Sequence, residues 1–188
     1  MEYEQMIAQL SKSLSPKRLQ HSIGVSETAE ELAGIFGCDK DKARVAGLLH
    51  DVAREIPVHE LLPRAHAFGI VMSDIDRAEP ILLHASIAVK LVQADFGIND
   101  AEIFQAIRLH TIGGLHMSLL DKIIYVADAI EPGRQFGDLE EIRAIARIDL
   151  DKALLMTLDQ SIQYILKRGG LLHPATIEAR NELLIKKT

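Results

Sequence analysis

Apolar residues recur every three or four positions along nearly the whole chain, which is the spacing of one face of an α-helix. Residues that start and stop helices divide this pattern into segments. The first long segment begins after Ser15, a good capping residue, with Pro16 at the first helical position, and it ends at Gly37. No segment alternates apolar and polar residues between hairpin turns. The pattern therefore predicts an all-α fold.

The same rules predict eight more helices in the chain. They run over residues 41–53, 58–68, 80–96, 99–110, 118–132, 139–146, 150–167 and 174–186. Asn99, with Glu102 three residues later, indicates a capping box at the start of the fifth predicted helix. Gly113 and Gly114 indicate a loop before the sixth. The sequence therefore predicts a compact bundle of roughly nine helices.

Composition and charge narrow the class of protein. The chain has 188 residues, of which 48% are apolar, and this is enough to bury a core. Its formal net charge of -6 argues against binding to long nucleic acid, which needs a basic face. A small phosphorylated ligand is still compatible with this charge, because a local cluster of arginines, histidines and metal can hold it.

Three further features bear on the compartment. Cys38 is the single cysteine, so no intrachain disulfide can form. No apolar run reaches the ~18 residues of a membrane span. The first residues, MEYEQMIAQLSKSL, carry acidic side chains and no long apolar stretch, unlike a secretory signal. We therefore predict a cytoplasmic protein with no membrane partner.

Six polar side chains stand among apolar residues of the predicted helices: His21, His50, Asp51, His84, His110 and Asp128. A single histidine on an apolar face is usually a hydrogen-bonded core residue, so none of the six is informative alone. Together they are hard to satisfy separately in one small bundle, because an unpaired buried charge is costly. A shared metal ion would satisfy them all. Nitrogen and oxygen ligands without thiolate favour iron, manganese, cobalt or nickel over structural zinc.

The order of these residues resembles a known family. His21, then His50 with Asp51, then Asp128 is similar to the metal-binding pattern of the HD-domain phosphohydrolase superfamily. The strings AGLLHDVARE, IRLHTIGG and MSLLDKIIYVADAIEPGR resemble one branch more closely, the bacterial YqeK family. The resemblance covers most of the chain. It implies a single HD domain over residues 1–188, with 150–188 as a C-terminal helical extension packed on it.

The resemblance also implies an activity. Members of the YqeK family are implied to be symmetrical bis(5'-nucleosyl)-tetraphosphatases. These are metal-dependent enzymes that use metal-activated water to cut diadenosine tetraphosphate into two ADP. It implies bound iron, for which manganese or cobalt are alternatives. The implied metal ligands are His21, His50, Asp51 and Asp128. The implied catalytic residues are His50, Asp51 and Arg54.

His84 and His110 have two interpretations under this resemblance. They could hold a second metal ion bridged by Asp51, as in the cyclic-dinucleotide branch of the superfamily. Alternatively, they could donate hydrogen bonds to substrate phosphates beside a single metal. The sequence leaves both open.

Five further residues are candidates for binding the substrate. Arg18 and Arg54 each lie about one helical turn from a predicted ligand, which places them on the same helix face. Arg134 follows the turn after Asp128, although arginines near helix ends are usually solvated or ion-paired. Thr111 is a hydroxyl donor to phosphate or a helix cap. His173, next to Pro174, closes over the nucleotide by resemblance, or caps the last helix.

Two glycines lie inside predicted helices, where glycine costs about 1 kcal/mol relative to alanine. Gly24 and Gly47 each stand three residues from a predicted ligand. Close approach of two helices around the metal would explain them.

Other functions are compatible with the same residues. One is an HD-type phosphohydrolase of another nucleotide, such as a deoxynucleotide or a cyclic dinucleotide. Another is a non-catalytic nucleotide-binding regulatory protein that keeps the metal for stability. The completeness of the ligand set favours the enzyme. The sequence does not decide whether the protein forms a homodimer.

Overall fold

A computed structural model describes residues 1–135 and 139–185. Within these ranges every regular element is helical and no strand occurs, which confirms the predicted all-α class. The α-helices are α1 (Tyr3–Leu10), α2 (Pro16–Phe36), α3 (Lys40–Leu49), α4 (Val58–Ala67), α5 (Asp74–Ala78), α6 (Leu83–Phe96), α7 (Ala101–Leu109), α8 (Leu119–Ile130), α9 (Leu139–Ala146), α10 (Leu150–Lys167) and α11 (Pro174–Ile185). The final predicted position of the last helix, residue 186, lies outside the described residues.

The short helices α1 and α5 were not predicted from the sequence. Helix α5 has only five residues and is held by a capping box between Ser73 and Asp76. The predicted cap of α7 is wrong by one residue. The carboxylate of Asp100, not Asn99, accepts hydrogen bonds from the Glu102 and Ile103 amides. Asp100 has the extended backbone of a capping residue.

Helix α3 ends at Leu49, before the predicted end at Ala53. His50 is its C-cap, and turns follow as far as Glu55. His110 is likewise the C-cap of α7. The expectation that all four histidines lie inside helices is therefore wrong for these two. A residue at the end of a helix can aim its ring along the helix axis, beyond the last turn.

The centre of the molecule is aliphatic. Helix α2 packs against α3 and α8, and α7 packs against α3, α6 and α8. Their contacts are made by fully buried residues such as Val25, Leu48, Ile107 and Ile123. Helix α10 packs on α8, α9 and α11. The division into one domain with an extension from residue 150 stays a prediction. None of the helices in the described ranges combines the length and the apolar character needed to span a membrane.

Helices α2 and α3 cross at Gly47. A Cβ atom at this position would lie 2.9 Å from Ser26 Cα and 3.0 Å from the Val25 carbonyl oxygen. These are backbone atoms of α2, which cannot move aside as a flexible side chain would. Only glycine lets α3 approach α2 closely enough to bring His50, three residues later, beside His21. The role predicted for this glycine therefore has a direct steric basis.

Replacing Gly47 by alanine is expected to lower the free energy of unfolding by up to about 2 kcal/mol. The clash costs about 1–3 kcal/mol, and the higher helix propensity of alanine offsets about 1 kcal/mol of it. Gly34→Ala is the matched control, because Gly34 is exposed on α2 and its added Cβ would meet only the Lys40 side chain at 3.7 Å. This control should become more stable. Chemical denaturation measures both variants, and equal stabilisation of the two would contradict the steric argument.

Candidate metal centre

The structure brings the six predicted side chains into one cluster. His21 comes from α2, His50 and Asp51 from the end of α3, His84 from α6, His110 from the end of α7, and Asp128 from α8. The ring centroids of His50 lie 5.3 Å from His21 and 4.8 Å from His110, and those of His84 and His110 lie 5.1 Å apart. Five of the six residues are buried or nearly so, and the Asp128 side chain is 20% exposed. Residues far apart in the sequence therefore meet at one place.

Three of the histidine rings are held by the same kind of local hydrogen bond. The Nδ1 atom of each donates to the carbonyl oxygen three residues earlier. The distances are 2.7 Å from His50 to Gly47, 2.5 Å from His84 to Ile81 and 2.6 Å from His110 to Ile107. This hydrogen bond leaves the proton on Nδ1 and a free lone pair on Nε2. Each helix end therefore presents an acceptor nitrogen to the cluster.

Asp51 is shared between two groups of histidines. Its Oδ2 atom lies 3.5 Å from His50 Nε2 and 3.8 Å from His21 Nε2. Its Oδ1 atom lies 3.3 Å from His84 Nε2 and 3.6 Å from His110 Nε2. Asp128 Oδ1 joins the first group, 3.1 Å from His21 Nε2. These candidate ligand atoms thus form two sets that have Asp51 in common, and His50, His110 and Asp128 make a third group that overlaps both.

A cation among these atoms would relieve their mutual repulsion. The Nε2 atoms of His84 and His110 face each other at 3.1 Å, although both rings already place their protons on Nδ1. The Nε2 atoms of His21 and His50 are buried without a hydrogen-bond partner in the described residues. Lone pairs facing lone pairs and carboxylate oxygens repel unless a positive charge lies between them. The residues therefore fit a divalent metal, for which neutral imidazole and carboxylate are suitable ligands.

The carboxylates of Asp51 and Asp128 are ionised and can bind a metal ion as anions. Burial by itself would raise the pKa of Asp51, but His50, His110 and His84 surround the group and hold its pKa well below the usual range. Burial of Asp128 is likewise outweighed by His21, His50 and Arg134, so its pKa is lowered. Both groups are therefore ionised at neutral pH without needing a metal to remove a proton.

Glu131 is a functional residue that the sequence reasoning missed. It is buried, and its Oε1 atom lies 3.0 Å from His21 Nδ1, which donates to it. Its Oε2 atom accepts from the Gly133 amide at 2.5 Å. Gly24 leaves room for this carboxylate, since a Cβ there would lie 2.7 Å from Oε2. Glu131 thus turns the His21 ring so that Nε2 faces the cluster, as carboxylates behind metal-binding histidines commonly do.

Replacing Glu131 is expected to weaken metal binding by about 10-fold for glutamine and by up to about 100-fold for alanine. Glutamine keeps an acceptor oxygen for His21 but loses the negative charge that makes the ring a better ligand. Competition with a chelator measures the dissociation constant for Co²⁺, a metal whose absorption spectrum also reports its ligand geometry. Glu178→Gln, an exposed carboxylate on α11, is the control. Unchanged affinity in Glu131→Ala would contradict this role.

Arg143 holds the turn that carries Glu131. From α9 its Nε atom donates to the Ile130 carbonyl at 2.9 Å, and Nη2 donates to the carbonyls of Glu131 and Arg134 at 3.0 and 2.9 Å. One guanidinium therefore caps the end of α8 and fixes the next four residues. No local pattern in the sequence pairs this arginine with those carbonyls.

Four of the five substrate candidates line one cavity beside the cluster. The cavity has a volume of about 250 Å³, and its walls include Arg18, Arg54, Thr111 and Arg134. Arg54 reaches it although residues 50–55 form turns, so the argument from a shared helix face is wrong for that residue. Thr111 Oγ1 lies 3.0 Å from His110 Nε2. His173 is not on the cavity wall. Its ring accepts a hydrogen bond from the Ala175 amide, and its role with substrate stays a prediction.

The two arginines nearest the cluster pair with its carboxylates. Arg18 Nη1 donates to Asp51 Oδ2 at 2.8 Å, and Arg134 Nη2 donates to Asp128 Oδ1 at 2.6 Å. Arg18 is positioned by the start of α2, where the Ser15 amide and hydroxyl both donate to Glu55. Sequence reasoning did not find Glu55 because its partner lies forty residues earlier. The cavity thus has arginine side chains on its wall, directly beside a buried cluster that could hold a metal ion.

Comparison with known proteins gives a consistent result. The model of the HD domain family matches residues 18–133, a range that contains all six cluster residues. The symmetrical bis(5'-nucleosyl)-tetraphosphatase of Halalkalibacterium halodurans is 39% identical, over 93% of this chain and 92% of its own. The enzyme of the same name from Bacillus subtilis is 36% identical over 98% of both chains.

A solved structure also matches along nearly the whole chain. It is described as a predicted HD superfamily hydrolase involved in NAD metabolism from Clostridium acetobutylicum. It is 43% identical, aligns with a TM-score of 0.95, and covers 99% of this chain and 98% of its own. Since the family model spans more than half of the sequence and these relatives align over almost all of it, the chain belongs to the HD domain family.

Proposed function

We propose that this protein is a metal-dependent hydrolase that cuts diadenosine tetraphosphate symmetrically, giving two ADP. The observation that carries the proposal is the cluster itself. Buried acceptor atoms converge on Asp51, and two arginines border them on a cavity open to a ligand. The similarity to two symmetrical bis(5'-nucleosyl)-tetraphosphatases over more than nine-tenths of the chain supports this substrate.

The bound metal has a defined chemical task in this reaction. A divalent metal, when bound, would lower the pKa of a water molecule towards ~7 and so supply a nucleophile near neutral pH. The residues that would hold it are His21, His50, Asp51 and Asp128. His84 and His110, together with Asp51, would hold a second ion. We propose iron, because the donor set is nitrogen and oxygen without thiolate, with manganese or cobalt as alternatives.

The arginines position and neutralise the phosphate chain. A guanidinium has five N–H donors, and the carboxylate contacts of Arg18 and Arg134 leave several of them available. Each arginine can therefore hold a carboxylate of the cluster and a phosphate oxygen together. Arg54 adds a third cation on the cavity wall. Charge that builds on the phosphoryl oxygens during the reaction is stabilised by these donors, which are already in place.

His50 is proposed as a catalytic residue because it belongs to the cluster and contacts Asp51. It is fully buried, and its ring is fixed by the Gly47 carbonyl. It therefore cannot turn away from Asp51, which it helps to hold as an anion. Thr111 can donate its hydroxyl proton either to a histidine Nε2 atom or to a phosphate oxygen.

One experiment tests the proposed function directly. Purified protein is supplied with diadenosine tetraphosphate, and the products are separated by ion-exchange chromatography. We expect ADP alone; equal amounts of ATP and AMP would mean that cleavage is asymmetric. A parallel panel of deoxynucleotides and cyclic dinucleotides tests the other HD-type activities. No turnover of any nucleotide by metal-loaded protein would favour the regulatory interpretation.

Three further measurements test the metal, the oligomeric state and the location that accompany this proposal. Elemental analysis of protein purified without added metal identifies the ion and counts the ions per chain. Light scattering decides whether the protein is a homodimer. Fractionation of cells that express the protein tests the predicted cytoplasmic location.

A further inference from the structure

A second and larger cavity adjoins the one described above. Its volume is about 720 Å³, compared with about 250 Å³ for the first. Arg18 and Arg134 line both cavities, so the two meet at these side chains. His21 lines the larger cavity, whereas Asp51 and Asp128 line the smaller one. The metal-binding cluster therefore borders both spaces.

The smaller cavity cannot hold a whole dinucleoside tetraphosphate. Its volume is below the ~300–1,000 Å³ typical of sites for drug-sized ligands, and this substrate carries two nucleosides and four phosphates. Symmetrical cleavage also places the middle of the phosphate chain at the cluster. The two halves of the molecule must then leave the cluster in different directions. One half would extend towards Ile81, Leu82 and Tyr125, which line the smaller cavity.

We propose that the larger cavity binds the second nucleoside of the dinucleotide, an inference that rests on the proposed function. Its junction with the first cavity is cationic, through Arg18 and Arg134, and suits phosphates. The wall of the larger cavity also carries the carboxylates of Glu27, Glu55 and Glu131 and the ammonium group of Lys17. Carboxylates repel additional phosphate but accept hydrogen bonds from ribose hydroxyls and from an exocyclic amine. Polar groups of both signs beside a cationic junction therefore suit a nucleoside that follows phosphates.

Two side chains of this wall are exposed and can make such contacts. Gln20 and Glu27 are exposed on α2, one on either side of His21 in the sequence, and both line the larger cavity. Gln20 offers both a donor and an acceptor to a base edge. Neither residue belongs to the buried core, so each can be replaced without removing core packing.

The test compares two substrates that differ only in the second nucleoside. Diadenosine tetraphosphate and water give two ADP, whereas adenosine tetraphosphate cut at the same central bond gives ADP and pyrophosphate. The wild type is expected to show a kcat/KM at least tenfold higher for diadenosine tetraphosphate. Gln20→Trp, which fills the larger cavity, should lower this value by about tenfold. It should change the value for adenosine tetraphosphate by less than twofold.

The controls separate this inference from the proposed function. Gln93→Trp places the same bulky side chain on an exposed position of α6, away from both cavities, and should leave both substrates unaffected. Glu27→Gln should lower kcat/KM for diadenosine tetraphosphate alone, by about threefold. Equal use of both substrates by the wild type, or full activity of Gln20→Trp, would overturn the second site. Failure of the wild type to form ADP from diadenosine tetraphosphate would instead overturn the proposed function.

Discussion

Replacing Asp51 by asparagine is expected to lower kcat by at least about 10³-fold and to remove most of the bound metal. Each oxygen of this carboxylate faces a different pair of histidine nitrogens, at 3.3 to 3.8 Å. Asparagine has one oxygen, so one of the two groups must face an amide nitrogen instead. The change also removes a buried negative charge that the Arg18 guanidinium contacts at 2.8 Å. One substitution therefore damages both sets of ligands.

The measurements for this variant are turnover of diadenosine tetraphosphate and metal content by elemental analysis. Asp41→Asn is the control, since Asp41 is an exposed residue in the first turn of α3 and faces no ligand. It should keep both activity and metal. Circular dichroism checks that the Asp51→Asn protein is folded. If that variant kept its metal and more than a tenth of its activity, Asp51 would not be the shared ligand.

The six cluster residues could be singled out in the sequence because their surroundings are unusual. His84 and Asp128 interrupt long apolar stretches, and such interruptions are visible without knowing the fold. Helix ends were predicted where a cap is local, as at Ser15 and Gly37. The cap of α7 was assigned to Asn99 because two adjacent residues, Asn99 and Asp100, can both cap, and only the backbone conformation decides between them.

Residues that act through distant contacts were not predicted. Glu131 follows Ile130 in a segment that continues into Pro132 and Gly133, which looks like an ordinary exposed turn. Its function depends on His21, far away along the chain. The spacing of three residues from Asp128 was the one local signal, since residues three apart in a predicted helix share a face; Glu131 is in fact the C-cap of α8. Arg143 gave no signal, because its partners are backbone carbonyls.

The arrangement of the side chains within the cluster also depends on tertiary structure. The sequence placed His50 inside a helix, where adjacent side chains point about 100° apart. The structure instead ends α3 at Leu49, and the turn lets His50 and Asp51 face the same centre. Helix α7 likewise ends at Leu109, just before His110, so that the His110 side chain faces this centre too. The two groups of ligand atoms arise because these two helix ends meet, aided by the close approach at Gly47.

Replacing His84 or His110 by alanine is expected to lower kcat by about 10²-fold, and to remove one of two bound ions. Their Nε2 atoms lie 3.1 Å apart, and both face Asp51 Oδ1. If they hold one ion together, removing either ring already releases it. The double variant should therefore be about as active as each single variant, because residues that act as a unit are not additive.

This comparison decides between the two interpretations of the pair. Metal content, kcat and KM are measured for both single variants and the double variant, with the exposed His66→Ala as the control that should match the wild type. Direct contact with phosphate would leave the metal content unchanged, raise KM, and make the two losses multiply. The structure favours the shared ion, because both rings place their protons on Nδ1 and have none on Nε2 to donate to a phosphate. Full metal content in the double variant would contradict it.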